Sequence, residues 1–169
     1  MLIFRRELMN YQLKKRVWSW ANTYDINSSN GELAFQVIGK YFSWGHNLTI
    51  HDATGAEVAT IEQRLMSFMP TYYLNRRGSL FAEIRKKFSW FKKTFELDIP
   101  GPNDYTIEGS FWDYEYYFYR RGQAVAQVSK AFWSWSDTYG VEIVDGEDDL
   151  SILATMVVID LCNHEQGSS

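Results

Sequence analysis

A chain of 169 residues is long enough for one domain with a sizeable core. Its formal net charge of −4 argues against nucleic acid as the main partner, because phosphate binding needs a basic footprint. The single cysteine, Cys162, excludes an internal disulfide and any multi-cysteine metal site.

Aromatic residues make up 17% of the chain, a weight that favours strands over helices. The opening Met1-Leu-Ile-Phe-Arg-Arg-Glu7 has no apolar run of signal-peptide length, so a cytoplasmic location is the expectation. A repeat then runs through the body of the sequence. It is seen at Gly31-Glu-Leu-Ala-Phe-Gln-Val-Ile-Gly-Lys-Tyr-Phe-Ser-Trp44, at Gly55-Ala-Glu-Val-Ala-Thr-Ile-Glu-Gln-Arg-Leu65, at Gly78-Ser-Leu-Phe-Ala-Glu-Ile-Arg-Lys-Lys-Phe-Ser-Trp90 and at Gly122-Gln-Ala-Val-Ala-Gln-Val-Ser-Lys-Ala-Phe132. Trp18-Ser-Trp-Ala-Asn-Thr-Tyr24 likewise returns as Trp133-Ser-Trp-Ser-Asp-Thr-Tyr139.

Each unit reads as a glycine turn, a strand of period-two alternation, an aromatic corner and a second alternating strand. The pairs fall at about 8–26, 32–50, 56–74, 79–99, 105–118 and 123–144. About twelve strands will not stay open and flat; the sheet closes and loses its edges. The Trp/Ser corners at 18–20, 43–44, 89–90 and 133–135 are expected to pack the barrel, since they recur with the unit.

A barrel of that size is too wide for its own side chains to fill. Leu150 to Cys162 supplies a plug: it is apolar all round and is preceded by Asp145, Glu147, Asp148 and Asp149, which suit the first turn of a helix. It is too short to span a bilayer. From the pattern alone a thirteenth strand stays open, given Ile152, Val157, Val158 and Ile159. If the segment is an inner helix, Asp160 is buried and requires a hydrogen-bonding or ion-pair partner on a strand. The expected fold is mainly β: a closed antiparallel β-barrel of about twelve strands around a central hydrophobic C-terminal α-helix, one domain over 1–169, with strands within 8–144 and the helix near 148–163.

Chemistry-bearing motifs are few. His46, His51 and His164 make no metal-binding spacing. There is no nucleophile elbow and no glycine-rich phosphate loop. Asp113 and Glu115, two apart, would share a strand face and form a carboxylate pair, or else an outward polar row opposite Tyr114 and Tyr116. No catalytic residue, metal or cofactor is expected. The one concentration of positive charge is Arg76, Arg77, Arg85, Lys86, Lys87, Lys92 and Lys93, interleaved with Phe88, Trp90 and Phe91. Cations beside aromatics suit an anionic headgroup at a membrane surface; the plainer reading is a solvated strand face that blocks edge pairing.

The strings Phe111-Trp-Asp-Tyr-Glu-Tyr116, Trp133-Ser-Trp-Ser-Asp-Thr-Tyr-Gly-Val-Glu-Ile143 and Ala154-Thr-Met-Val-Val-Ile-Asp160 together resemble the LURP-one-related family. The resemblance runs from about Met9 to His164. It implies a twelve-stranded barrel around a central helix, similar in fold to the tubby C-terminal domain and to phospholipid scramblases. It implies no settled activity, and no ligand residue is carried over from it. The expected function is therefore a non-enzymatic binding module that docks anionic lipid or another phosphorylated ligand, peripheral to the membrane, through residues 76–93. The alternative is a protein-interaction or structural scaffold without a small-molecule ligand.

Overall fold

The structure is a computed structural model and describes residues 7–16, 21–40, 44–110, 114–130 and 138–166. Among the described residues, twelve strands precede one helix. The strands are β1 (Leu8–Lys15), β2 (Thr23–Ser28), β3 (Leu33–Gly39), β4 (Asn47–Asp52), β5 (Glu57–Gln63) and β6 (Thr71–Arg76). The second half holds β7 (Ser79–Lys87), β8 (Lys93–Asp98), β9 (Tyr105–Gly109), β10 (Tyr116–Arg120), β11 (Gln123–Ser129) and β12 (Thr138–Val144). The helix is α1 (Asp149–Gln166).

Each strand pairs antiparallel with its neighbours in sequence, and β1 closes the barrel on β12. Alternation sends one set of side chains inward. On β7 and β8 these are Ala82, Ile84, Phe95 and Leu97, all buried, while Glu83, Arg85, Glu96 and Asp98 face out.

The repeat seen in the sequence is a structural unit. Arg77-Gly78 and Arg121-Gly122 are two-residue loops with positive φ at both positions, 51° and 73° in one and 52° and 75° in the other. That combination twists with the strands it joins. Four hairpins, β2–β3, β4–β5, β6–β7 and β10–β11, share a register shift just before the turn. At Gly109 an added Cβ would lie 2.3 Å from the Tyr116 ring opposite it. The glycine lets that ring lie across the β9 backbone and reach the core.

The C-terminal segment is the central helix. Residues 151–162 are buried on every side. A strand there would need ladder partners that a closed barrel no longer offers. A helix satisfies its own backbone and presents apolar side chains all round. At 1.5 Å per residue its 18 residues run for about 27 Å along the barrel axis. The two ends of the barrel are therefore distinct, one holding the start of α1 and the other its last turn.

Candidate functional site

The two ends differ in chemistry. At the end where α1 starts, the connections are tight polar turns around Asn30-Gly31, Thr54-Gly55, Arg77-Gly78, Gly101-Pro102-Asn103 and Arg121-Gly122. Glu147, Asp148 and Asp149, ahead of and in the first turn of α1, are engaged there. Asp148 accepts from the Ser151 N–H as an N-cap and pairs with Arg76. The same guanidinium donates to Ser151 Oγ at 2.8 Å. Glu147 takes Arg120 and the Tyr105 hydroxyl, each at 2.8 Å, and the Tyr11 hydroxyl donates to Asp149. A cleft of about 450 Å³ beside this turn is lined by Phe81, Tyr105, Arg120 and Asp148, so its charged groups already serve the helix. The acidic run acts in helix capping, and among the described residues no group of His, Cys, Asp and Glu could hold a metal ion.

At the other end the connections carry large apolar side chains into solvent. Trp44 is 88% exposed, Phe68 99%, Trp90 80% and Phe91 90%. Met66 and Phe88 are exposed beside them, with the Phe88 and Trp90 rings edge to face at 5.1 Å. This corrects the expectation that the aromatic corners pack the barrel. Beyond the last inward strand residues, the interior is already filled by the end of α1, and the corner side chains have no core to enter. Of the other corners, Trp18, Trp20, Trp133 and Trp135 lie outside the described residues, as do Phe111, Trp112 and Asp113. Glu115 precedes β10 rather than lying in it, and its expected partner Asp113 lies outside the described residues.

Beneath the aromatic tips lies a polar layer that holds the end of the helix. Asp160 is 1% exposed. It accepts from the Tyr139 hydroxyl at 2.7 Å, the Tyr24 hydroxyl at 2.9 Å and the Lys15 ammonium at 3.2 Å. The expected strand partners of this buried carboxylate are thus found on β12, β2 and β1. Asn163 donates to the Tyr116 hydroxyl at 2.7 Å and accepts from Lys93 at 2.8 Å. Glu165 pairs with His46 at 2.8 Å. Tyr72 stacks near His46, its hydroxyl close to the Cys162 thiol. Burial, and then the charge of Asp160, drive Tyr24 and Tyr139 far above the ordinary phenol range. Burial pushes Tyr116 up to about 12 and the Cys162 thiol up to about 11.

The seven basic residues expected to form one patch are distributed over three places. Arg76 and Arg77 sit at the polar end, the first bound to Asp148 and the second in its turn. Arg85, Lys87 and Lys92 face outward, each with a carboxylate from β7, β8 or β9: Glu83 and Asp98 for Arg85, Glu96 for Lys87 at 3.0 Å and Glu108 for Lys92 at 2.7 Å. Lys86 and Lys93 face inward at the mouth that holds the end of α1. The division follows from strand geometry: nine residues of β7 span roughly 30 Å and alternate between faces.

A third lysine reaches the same mouth. Lys130, at the end of β11, lies 4.9 Å from the Tyr114 ring centroid, and Lys93 lies 5.6 Å from the same ring. Sequence reasoning passed over Lys130 because it is far from the 76–93 cluster along the chain. The repeat held the signal, since Lys86 and Lys130 each stand eight residues after the turn glycine of their unit.

Comparison with known proteins agrees with this architecture. A family model described as LURP-one-related matches residues 9–160. A Bacillus subtilis protein, the uncharacterized protein YxjI, is 32% identical over 149 residues, covering 88% of this chain and 90% of that protein. An X-ray structure of a protein from Arabidopsis thaliana superposes with a TM-score of 0.67 at 19% identity, covering 94% of this chain and 93% of that one. The latter is a likeness of fold.

Proposed function

This chain belongs to the LURP-one-related family, and from that premise we propose that it is a non-enzymatic docking module that seats the aromatic end of its barrel on an anionic lipid surface. One observation carries the reading: Trp44, Phe68, Trp90 and Phe91 stand out at the end that holds the last turn of α1, while the turns at the opposite end carry no exposed aromatic among the described residues, only Leu33 and Leu80. Fully burying a side chain of this size is worth about 1.5–3 kcal/mol. Several tips at partial depth reach the range of reversible anchoring, comparable with a single acyl chain. Lys40, Arg64, Lys86, Lys93 and Lys130 lie at the same end, each worth about 1 kcal/mol near an anionic leaflet. Arg76 and Arg77, at the far end, take no part in it.

A lipid surface also suits the form of the site. The tips project from three connections, β3–β4, β5–β6 and β7–β8, and a fluid bilayer accommodates projecting side chains without a matched partner surface. Trp and Phe over a row of lysines is the composition of an interfacial belt. No described helix is long and apolar enough to cross a membrane, so attachment through these tips would be peripheral.

Sedimentation with phosphatidylcholine vesicles, with and without phosphatidylglycerol, tests the reading. Wild type is expected to pellet with the anionic vesicles and its Trp emission to shift to shorter wavelength. The variant Trp44→Ser/Phe68→Ser/Trp90→Ser/Phe91→Ser is expected to stay in solution. A wild-type protein that stays in the supernatant with every vesicle sinks the reading and turns attention to a protein partner for the same tips.

A further inference from the structure

We propose that Met66 is an oxidation switch on the docking end: a peroxide that converts its thioether to the sulfoxide weakens the hold of the protein on a lipid surface, and reduction restores it. The proposal rests on the docking of the aromatic end and adds its regulation.

The connection from β5 to β6 presents this side chain on an ordered tip. Its two feet are tied together, the Arg64 N–H donating to the Thr71 carbonyl at 2.8 Å. The Ser67 hydroxyl donates back to the Arg64 carbonyl at 3.3 Å, and the Thr71 hydroxyl donates to the Met69 carbonyl at 3.0 Å. Leu65 leans on Gly45, where an added Cβ would come within 2.9 Å of its side chain. Met66 itself stands at φ 60°, in the left-handed region. Met66 and Phe68 are left fully exposed, at the end that also carries Trp44 and Trp90.

The sulfur atoms of the chain differ sharply in access. Of the 5 methionines, Met1 lies outside the described residues. Met69 is half-buried at the foot of the same connection, and Met156 is completely buried in α1. Met9 is partly exposed, but it pairs with Ile143 near the start of α1, away from the docking end. The Cys162 thiol is buried, and burial pushes it up to about 11, so it stays protonated and unreactive at neutral pH. Access to the sulfur sets the order of oxidation. A peroxide therefore reaches the docking tip before the core, and the barrel stays folded while its tip changes.

The step is an oxygen transfer. The sulfur lone pair takes one oxygen atom from hydrogen peroxide, the O–O bond breaks as the S–O bond forms, the sulfur loses two electrons to the peroxide, and water leaves. The product is a polar side chain with a strong acceptor. A buried thioether favours the acyl layer; an acceptor carried into the same layer finds no donor there. The other tips are unchanged, so attachment weakens without being abolished.

The test treats the full chain with dilute hydrogen peroxide and locates the added oxygen by peptide mass spectrometry. Sedimentation with phosphatidylcholine vesicles containing phosphatidylglycerol then measures binding. Met66 is expected to be oxidised ahead of Met9, Met69 and Met156. The oxidised protein is expected to bind about tenfold more weakly, with its circular dichroism unchanged, and to recover on treatment with methionine sulfoxide reductases. Met66→Leu is expected to bind equally before and after peroxide, and Met66→Gln to bind as weakly as the oxidised protein. Met9→Leu is expected to remain as sensitive to peroxide as wild type. Untreated wild type that stays in the supernatant overturns the docking reading and the switch with it. Wild-type binding that survives complete oxidation of Met66 overturns the switch alone, and so does a Met66→Leu protein that loses as much binding to peroxide as wild type. Loss of circular dichroism at the dose that oxidises Met66 also overturns it, since the core would then be no better protected than the tip.

Discussion

Replacing Asp160 with alanine removes the one acceptor that three strands share. Asp160 is 1% exposed, and Lys15, its ionic partner, is 15% exposed. Removing one member of a buried ion pair costs about 3–5 kcal/mol, because the other charge is left without compensation. The Tyr24 and Tyr139 hydroxyls lose their acceptor as well, and an orphaned buried donor costs about 1–3 kcal/mol. These terms overlap, and Lys15 keeps some hydration, so a loss of about 4 kcal/mol is expected. For a domain of this length that is a fall in Tm of about 8–16 °C. Urea unfolding followed by far-ultraviolet circular dichroism measures it, with the slope m unchanged if the fold is kept. Pairing the change with Lys15→Met should recover about 1–3 kcal/mol of the loss, since the stranded ammonium is removed with its partner. A loss below about 1 kcal/mol for Asp160→Ala at neutral pH would refute the argument that this carboxylate locks the end of α1 to the wall.

Alkaline pH is expected to unfold the protein through its buried phenols and thiol. Tyr105 and Tyr116 are pushed up to about 12 and Cys162 to about 11, in each case first by burial. The unfolded chain therefore releases these protons first. Stability is whole below the ordinary values of 9.0 and 10.0 and is lost as the pH rises through about 11 and 12. Tyrosinate absorbance should accompany loss of the circular dichroism signal; complete ionisation near pH 10 in a still folded protein would contradict this. Gly109→Ala is expected to cost about 1–3 kcal/mol by driving a methyl into the Tyr116 ring, read as a lower urea midpoint. Trp90→Ser and Phe91→Ser should change stability by no more than about 0.5 kcal/mol, since both side chains are free of the core. A larger loss in the same urea titration would show that these corners pack after all.

Much of the architecture was legible in the chain. Strand alternation, turn glycines and a unit repeated through the sequence imply twelve strands. A segment apolar on all sides implies something buried, and its length and acidic start favour a helix. Asp160 in that segment already demanded a strand partner, and Lys15, Tyr24 and Tyr139 supply the bonds. The candidate site was legible only in part. Lys86 and Lys93 were named, but in company with Arg85, Lys87 and Lys92, which the pleat sends to the opposite face. Phe88, Trp90 and Phe91 were seen as interfacial, while the recurrence of the Trp/Ser corners pointed to packing.

What the sequence determined by itself was local: which residues extend, where the backbone turns and which faces are apolar. Those are set by steric limits on each residue and by periods of two or 3.6, which a linear reading can follow. Only closure of the barrel decided what each aromatic and each lysine meets. Whether Trp90 is inside or outside depends on how far α1 fills the mouth. Whether Lys130 stands beside Lys93 depends on strands brought together from distant parts of the chain. Burial and charge balance are properties of that assembled surface, and no stretch of sequence carries them alone.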